Sequence, residues 1–359
     1  MGKLKLGLIG AGGIVRGAHY RAISKLTEDI KVVAVADVVR TAAEAIVREF
    51  NAEYVFEDYN ELLNLKEVDA VLITVPNYLH ARAAIDALEA GKHVLCEKPM
   101  AINGFDAERM VEVQKKTGRT LMVALNNRFR RDVQHLKILI ESGELGDIYY
   151  AKSGWMRRAG IPGWGGWFTN QSKSGGGPLI DIGIHMLDLA LYIMGNPKPV
   201  SVVGSTYKKF GHMEQGKSRV WKVADPQGIY NVEDLATAFI RLDNGATLTL
   251  DVSWAANIEK DSVFVNLMGT KGGAAIENSK GVAIYTERYG EQYDIYPQIK
   301  FNDDEARFEM WKHFIYCVKT GTAPIGSPVQ AMFVNKILDA IYESSKTGRE
   351  VYIATTALE

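Results

Sequence analysis

Cysteine is nearly absent from this chain of 359 residues: Cys96 and Cys317 are its two, far apart and without metal-ligand spacing. No disulfide framework or cysteine metal site can be built from such a pair, and a reduced, cytoplasmic setting is expected. An excess of one charge is also missing. Lys and Arg number 42 against 43 Asp and Glu, for a formal net charge of −1. Without a basic excess or block, a nucleic-acid or membrane-surface partner has no electrostatic footprint. No apolar run approaches the about 20 residues that cross a bilayer. The opening MGKLKLGLIGAGG starts basic, but glycines break its apolar stretch and no cleavage site follows. It reads as a first strand rather than a signal peptide.

What is present is a globular composition: 47% hydrophobic and 24% charged, with 34 glycines. The length exceeds one ordinary core and predicts two domains. In the first third, residues 5–10 (KLGLIG), 31–37 (KVVAVAD), 69–75 (DAVLITV), 93–96 (HVLC) and 120–124 predict strands. Helices are expected from the glycine turn to about Lys25, and over 41–50, 80–90 and 105–117. Continuous apolar strands alternating with helices imply a parallel sheet covered on both faces.

Gly10-Ala11-Gly12 stands where the first strand turns into the first helix, and Gly13 and Ile14 continue that turn. Glycine there permits a tight turn and a close approach of backbone to a pyrophosphate, which the helix N-terminus would attract. Val15 departs from the pattern, because Gly or Ala is usual at that position of the fingerprint. Asp37 ends the second strand about 25 residues later, where an acid accepts bonds from ribose hydroxyls. The bland alternative is a cap on the following helix. The same acid repels a 2′-phosphate, so NAD is expected, with NADP as the alternative; Arg40 is the one neighbour that could accommodate a phosphate.

From Asp69 the text runs DAVLITVPNYLHARAAIDALEAGKHVLCEKPMA. Its Val-Pro-Asn-x-x-His and Glu-Lys-Pro elements resemble the Gfo/Idh/MocA oxidoreductases, which include inositol dehydrogenases and glucose–fructose oxidoreductase. Asn127-Arg128-Phe129, the run Ser174-Gly-Gly-Gly-Pro-Leu-Ile-Asp181-Ile-Gly-Ile-His185-Met-Leu-Asp188, Val232-Glu233-Asp234 and Ser253-Trp254 extend the likeness over about residues 4–353. The resemblance implies a Rossmann dinucleotide-binding domain over 1–126. It also implies an α+β domain over 127–359, with a large, mostly antiparallel open sheet. It implies as well that the Lys98–Pro99 bond is cis.

Lys98 falls at the carboxyl end of a strand, where ligands of open parallel sheets sit. An ammonium there can stabilise the alkoxide that develops when a hydroxyl is oxidised; the bland alternative is a surface lysine paired with Glu97. Asp181 and His185, four apart, are expected on one helix face. An imidazole near neutral pKa can take the hydroxyl proton. A capping Asp with a bonded core His is the structural alternative. A metal site with Asp188 would lack a further His or Cys nearby, so no metal is expected. The resemblance makes Lys98, Asp181 and His185 the catalytic set. Thr74, Pro76, Asn77 and His80 stand at the strand end where the nicotinamide half should lie, with His80 a cofactor-side or helix-start residue rather than a base; Glu97, Lys98 and, by the resemblance, Trp167 are also expected on the cofactor, and Phe168 stands where an Arg is often found.

Beyond residue 128 the pattern changes to hairpin-linked strands over 149–156, 200–207, 236–242, 246–255 and 263–268, and residues 329–345 predict a closing amphipathic helix. An open sheet face is usually buried against a second copy, so a homodimer or homotetramer is expected. Trp155, Arg157, Arg158, Trp164, Trp167 and Phe168 crowd one Gly-rich segment. Such rings pack on carbohydrate C–H faces while arginine binds hydroxyl oxygens, though a subunit-contact loop is an alternative. Lys98, Asn127, Arg157, Trp164, Asp181 and His185 are the expected substrate residues. The reading is an NAD(P)-dependent dehydrogenase that oxidises a secondary hydroxyl of a sugar, polyol or inositol. Transient oxidation within glycoside cleavage and a non-catalytic dinucleotide sensor are its rivals.

Overall fold

The computed structural model describes residues 2–213, 215–218, 222–277, 281–300 and 302–354. The chain divides into two compact units. The first comprises Met1–Ala101, Phe105–Arg130 and Phe301–Met332; the second comprises Ile102–Gly104, Arg131–Lys300 and Phe333–Glu359. This differs from a single cut after residue 126, because a late segment returns to the first unit.

In the first unit, strands β1 (Leu4–Ile9), β2 (Ile30–Ala36), β3 (Tyr54–Phe56), β4 (Ala70–Ile73), β5 (His93–Cys96) and β6 (Leu121–Val123) form a sheet in the order β3-β2-β1-β4-β5-β6. All five pairings are parallel. Strand order reverses about β1, and the crevice at the carboxyl ends beside β1 and β4 is where such sheets hold ligands. Leu6, Leu8, Leu72, Leu95 and Met122 are buried in its core.

The helix Asp303–Thr320 adds Met310, Trp311 and Phe314 to the same core. Its start is set locally. The Asn302 side chain accepts from the Glu305 N–H at 2.7 Å, and Asp303, Asp304 and Glu305 occupy the first turn. Both features suit a helix N-terminus.

In the second unit, nine described strands form one sheet: β7 (Ile148–Met156), β8 (Pro199–Tyr207), β9 (Leu235–Leu242), β10 (Thr247–Ser253), β11 (Ser262–Gly269), β12 (Gly272–Glu277), β13 (Gly281–Arg288), β14 (Glu291–Ile295) and β15 (Val351–Tyr352). Every pairing is antiparallel except β7 with β10. The helix Ile184–Ile193 packs on β7, β10 and β11. Strand burial alternates, with Ala236, Ala238, Ile240, Leu248, Leu250 and Val252 inward. Val203, Phe239, Thr249 and Phe264 lie half-buried or exposed on the opposite face. The stretch Gln171–Ile193 has the length and apolar composition to cross a membrane, against the sequence expectation, but 89% of its most apolar window is buried inside the protein. Its apolarity serves the core.

Candidate active site

At the carboxyl end of β1 the chain reverses through Gly10, whose φ is +101°. A Cβ on Gly10 would lie 2.8 Å from the Thr74 carbonyl carbon and Oγ1, so no other residue fits without displacing the end of β4. Thr74, 8% exposed, donates its hydroxyl to Gly10 O at 3.0 Å. It braces the turn from below.

Gly12 and Gly13 are exposed, and a Cβ on either would meet nothing within 4 Å. Val15, by contrast, is fully buried, and the helix from 13 to 23 widens into a π-turn at Val15–His19. Asp37 Oδ2 accepts the Ala11 N–H at 2.7 Å and Oδ1 accepts the Val39 N–H at 2.8 Å. The acid is thereby locked beside the glycine turn, with Val38 and Val39 exposed at its shoulder. Arg40 is engaged by Glu44 at 3.0 Å and Glu57 at 3.5 Å. An open glycine turn with a fixed acid beside it fits an NAD dinucleotide. Gly10, Gly12, Gly13, Ile14 and Asp37 would hold its adenosine and pyrophosphate half, and half-buried Pro76 and buried Asn77 stand beyond the end of β4.

Lys98 leaves β5 at the same sheet edge. From Val94 to Ala101 every residue is buried except Lys98, and its peptide bond to Pro99 is cis. Beneath it lies a network that sequence reasoning missed. Glu97, 6% exposed, accepts from His19 Nε2 at 2.9 Å and Arg307 Nη1 at 3.4 Å through Oε1, and from the Lys98 backbone N–H at 3.0 Å through Oε2. Burial would raise the pKa of Glu97. The hydrogen bond from His19 and the charge of Arg307 outweigh it and hold the carboxyl well below its usual range.

Trp311 Nε1 donates to His19 Nδ1 at 3.1 Å. That assigns the His19 proton to Nε2, where it meets Glu97, and leaves the ring neutral; burial pushes its pKa down. His80, 1% exposed, sets Nδ1 2.6 Å from Pro99 O and Nε2 2.8 Å from Val75 O. Burial lowers its pKa while the two carbonyls oppose that shift. Glu97 and His80 therefore brace the Lys98 loop, with their polar atoms engaged by protein. Glu97 carries a sequence signal, its place beside Lys98 and Pro99 at the end of an apolar strand. His19, Arg307 and Trp311 carry no local mark.

Asn127 is likewise the one residue between Leu121 and Arg130 that is not buried.

In the second unit, residues 176–194 are buried except Asp181 and His185. Asp181 lies in a π-turn, Leu179–Gly183, and His185 is the second residue of the helix that continues from it. The wider turn replaces the regular α spacing expected for the pair. Trp254 Nε1 donates to Asp181 Oδ2 at 3.0 Å, and the His185 ring lies 6.4 Å from that of Trp155.

Two motifs meet behind this turn. Glu233 Oε1 accepts the Gly177 N–H at 2.9 Å, the Leu179 N–H at 3.1 Å and the Tyr342 hydroxyl at 2.9 Å. Burial raises the pKa of Glu233, with these bonds opposing it. A Cβ on Gly177 would sit 2.0 Å from Glu233 O, which is why the approach to Asp181 is written in glycine.

The Arg157 guanidinium covers the Trp155 ring at 4.8 Å. Half-buried Trp167 stacks on Phe168 with centroids 3.9 Å apart. Trp164 departs from expectation. It is 7% exposed, packs among Ile161, Ile182, Val232 and Trp254, stacks on Tyr230, and donates its indole N–H to Gly211 O at 3.0 Å. Its ring is packed in this core cluster.

A sheet edge of this kind, with a half-buried lysine beside the dinucleotide turn, gives the protein the class of a nicotinamide-dependent oxidoreductase. Residues 4–125 match the model of the oxidoreductase family with an NAD-binding Rossmann fold, and residues 133–275 match the GFO/IDH/MocA C-terminal domain. The chain belongs to the Gfo/Idh/MocA oxidoreductase family, and its cofactor is NAD.

Over 350 residues it is 35% identical to D-glucoside 3-dehydrogenase of Escherichia coli (strain K12), covering 97% of each chain. It is 29% identical over 346 residues to scyllo-inositol 2-dehydrogenase (NAD(+)) of Bacillus subtilis (strain 168), 95% of this chain and 94% of that one. Levoglucosan dehydrogenase solved in complex with NADH shares the fold, with a TM-score of 0.86 at 24% identity over 98% of this chain and 99% of that one.

Proposed function

We propose that the protein is an NAD-dependent dehydrogenase that oxidises a secondary hydroxyl of a sugar, polyol or inositol reversibly to the ketone, with Lys98, Asp181 and His185 as its catalytic residues. The observation that carries the assignment is burial. Each of these polar side chains interrupts a run that is otherwise buried, on a strand end or helix that cannot give way. When bound, NAD⁺ supplies the hydride acceptor. Lys98 donates to the substrate oxygen and stabilises the negative charge that grows there as the C–H bond breaks. His185 takes the hydroxyl proton on an imidazole nitrogen. Asp181, held by Trp254, orients the hydroxyl or the imidazole. Arg157, Asn127 and the Trp155 ring are the substrate-side contacts, and Trp167 the nicotinamide-side one.

The test is NADH absorbance with a panel of glucosides, aldoses and inositols. Glucosides come first, because a relative matched along the whole chain acts on them. Net NADH formation from a free pyranoside or cyclitol supports the reading. Glycoside cleavage without net NADH identifies transient oxidation instead, and NADH binding without turnover on any member identifies a sensor.

NAD is preferred over NADP because Asp37 opposes a 2′-phosphate and Arg40 is already neutralised by Glu44 and Glu57. Asp37→Asn keeps an acceptor for the Ala11 N–H. It should weaken NAD⁺ binding about tenfold or more, the worth of a hydrogen bond to a charged group, while NADP⁺ loses less. Equal losses in calorimetric titrations of both cofactors would show that Asp37 does not choose between them.

The half-exposed face with Val203, Phe239 and Phe264 supports a homo-oligomer. Sedimentation of a monomer at micromolar concentration would dismiss it. Cys96 and Cys317, both free and buried, fit a reducing cytoplasm.

A further inference from the structure

At the amino ends of the first unit's strands lies a cavity of about 520 Å³, lined by Lys3, Lys66, Lys92, His93, Arg119 and Lys319, with Asp69 its one acid. It is not the dinucleotide site. Asp69 precedes β4 and Thr74 follows it, so strand rise alone separates the two ends by roughly 16 Å.

The charges do not cancel locally. Asp69 Oδ2 is taken by the Lys5 backbone N–H at 2.9 Å. Lys3 lies 3.8 Å from Glu28, and Lys319 lies 3.1 Å from Asp29. Lys66, Lys92 and Arg119 have no carboxylate within ion-pair distance among the described residues. Lys92 is 7% exposed and spends its ammonium on two backbone carbonyls, Leu65 O at 2.7 Å and Val68 O at 2.8 Å. Those carbonyls anchor the cation but do not neutralise it.

His93 Nδ1 accepts the Thr120 N–H at 3.0 Å, and Arg119 Nη1 stands 3.5 Å from its Nε2. Burial lowers the pKa of both Lys92 and His93; Asp69 opposes this and Arg119 adds to it, with Asp69 the stronger of the two at Lys92 and Arg119 the stronger at His93. The cations repel one another, and an anion among them would relieve that repulsion. A concave site lined mainly by one sign of charge concentrates this field, and its volume is that of a small-molecule pocket.

We propose that this cavity binds a small phosphate-bearing anion, held by Lys66, Lys92 and Arg119. The phosphate sits against the Lys92 ammonium and the Arg119 fork, which offers paired donors to its oxygens. Lys3 and Lys319 at the rim draw the ligand in.

The test is calorimetric titration of the NADH-saturated enzyme, so that the dinucleotide site is filled, at low ionic strength, where rim charges act fully. Inorganic pyrophosphate and glucose 6-phosphate serve as separate probes. Binding of either at one site per chain is expected, weakened tenfold or more in the Lys66→Glu/Arg119→Glu double variant, whose NADH affinity should match the parent. Tighter binding of glucose 6-phosphate assigns the site to an organic phosphate, and tighter binding of pyrophosphate to an inorganic one. Binding of neither probe, or equal affinity in parent and double variant, overturns the proposal.

Discussion

Lys98→Met should reduce kcat/KM by about 10³-fold, while the dissociation constant for NADH changes by less than about threefold. Loss of one preorganised donor to a developing oxyanion costs about 10²–10³ in rate, and a cationic donor belongs at the upper end. A factor of 10³ corresponds to about 4 kcal/mol of transition-state stabilisation. The methionine keeps the unbranched stem, and the carboxylate beneath is satisfied without the ammonium. Glu97 is held by His19, Arg307 and the Lys98 backbone N–H, so the fold should survive the change. The loss should fall on kcat, because the interaction matters most as charge builds on oxygen. Steady-state kinetics with a fluorescence titration of NADH decide it. A variant within tenfold of the parent would remove Lys98 from the mechanism.

The second large effect concerns stability. Glu97→Ala leaves the Arg307 guanidinium and the His19 Nε2–H facing a hole, both beside the buried end of β5. Removing one partner of a buried ion pair costs about 3–5 kcal/mol, and urea denaturation at neutral pH should show a loss of that size. Glu97→Gln should recover part of it, since an amide oxygen still accepts from His19 but carries no charge for Arg307.

The pH dependence has a definite sign. The folded pKa of Glu97 lies below its ordinary 4.5, so its contribution is fully present above that value and is lost as pH falls through the folded one. The gap between parent and Glu97→Ala should therefore hold across neutral pH and close only in strong acid. A gap of about 1 kcal/mol or less, the worth of an exposed pair, would mean the network carries little.

Much of the site was legible because it is written in local grammar. Gly10 needs a positive φ, Asp37 ends an apolar strand, and Lys98 follows one, so each announces itself within ten residues. Asp181 and His185 stand out in an apolar run for the same reason. Residues with non-local roles could not be read this way. The bracing bonds of Thr74 to Gly10 and of His80 to Pro99 join residues 64 and 19 positions apart, and nothing local announces them. Trp164 sits in an aromatic, Gly-rich segment that suggests a sugar platform. Its neighbours in space, Ile182, Val232 and Trp254, come from three other places in the chain.

Apolar strands alternating with helices settle the parallel sheet, and the glycine turn and the polar breaks in apolar runs mark the candidate site residues. These follow from sequence alone, since backbone geometry and hydrophobic period are properties of neighbouring residues. The segment that carries Arg307 and Trp311 gives no reading from sequence, and nothing local in it states its destination. Only the tertiary structure docks it on the first unit, where burial of Trp311 and Phe314 and the pairing of Arg307 with Glu97 repay the long chain closure. The same closure converts Glu97 from an acid next to a lysine into the anchor of the lysine's backbone.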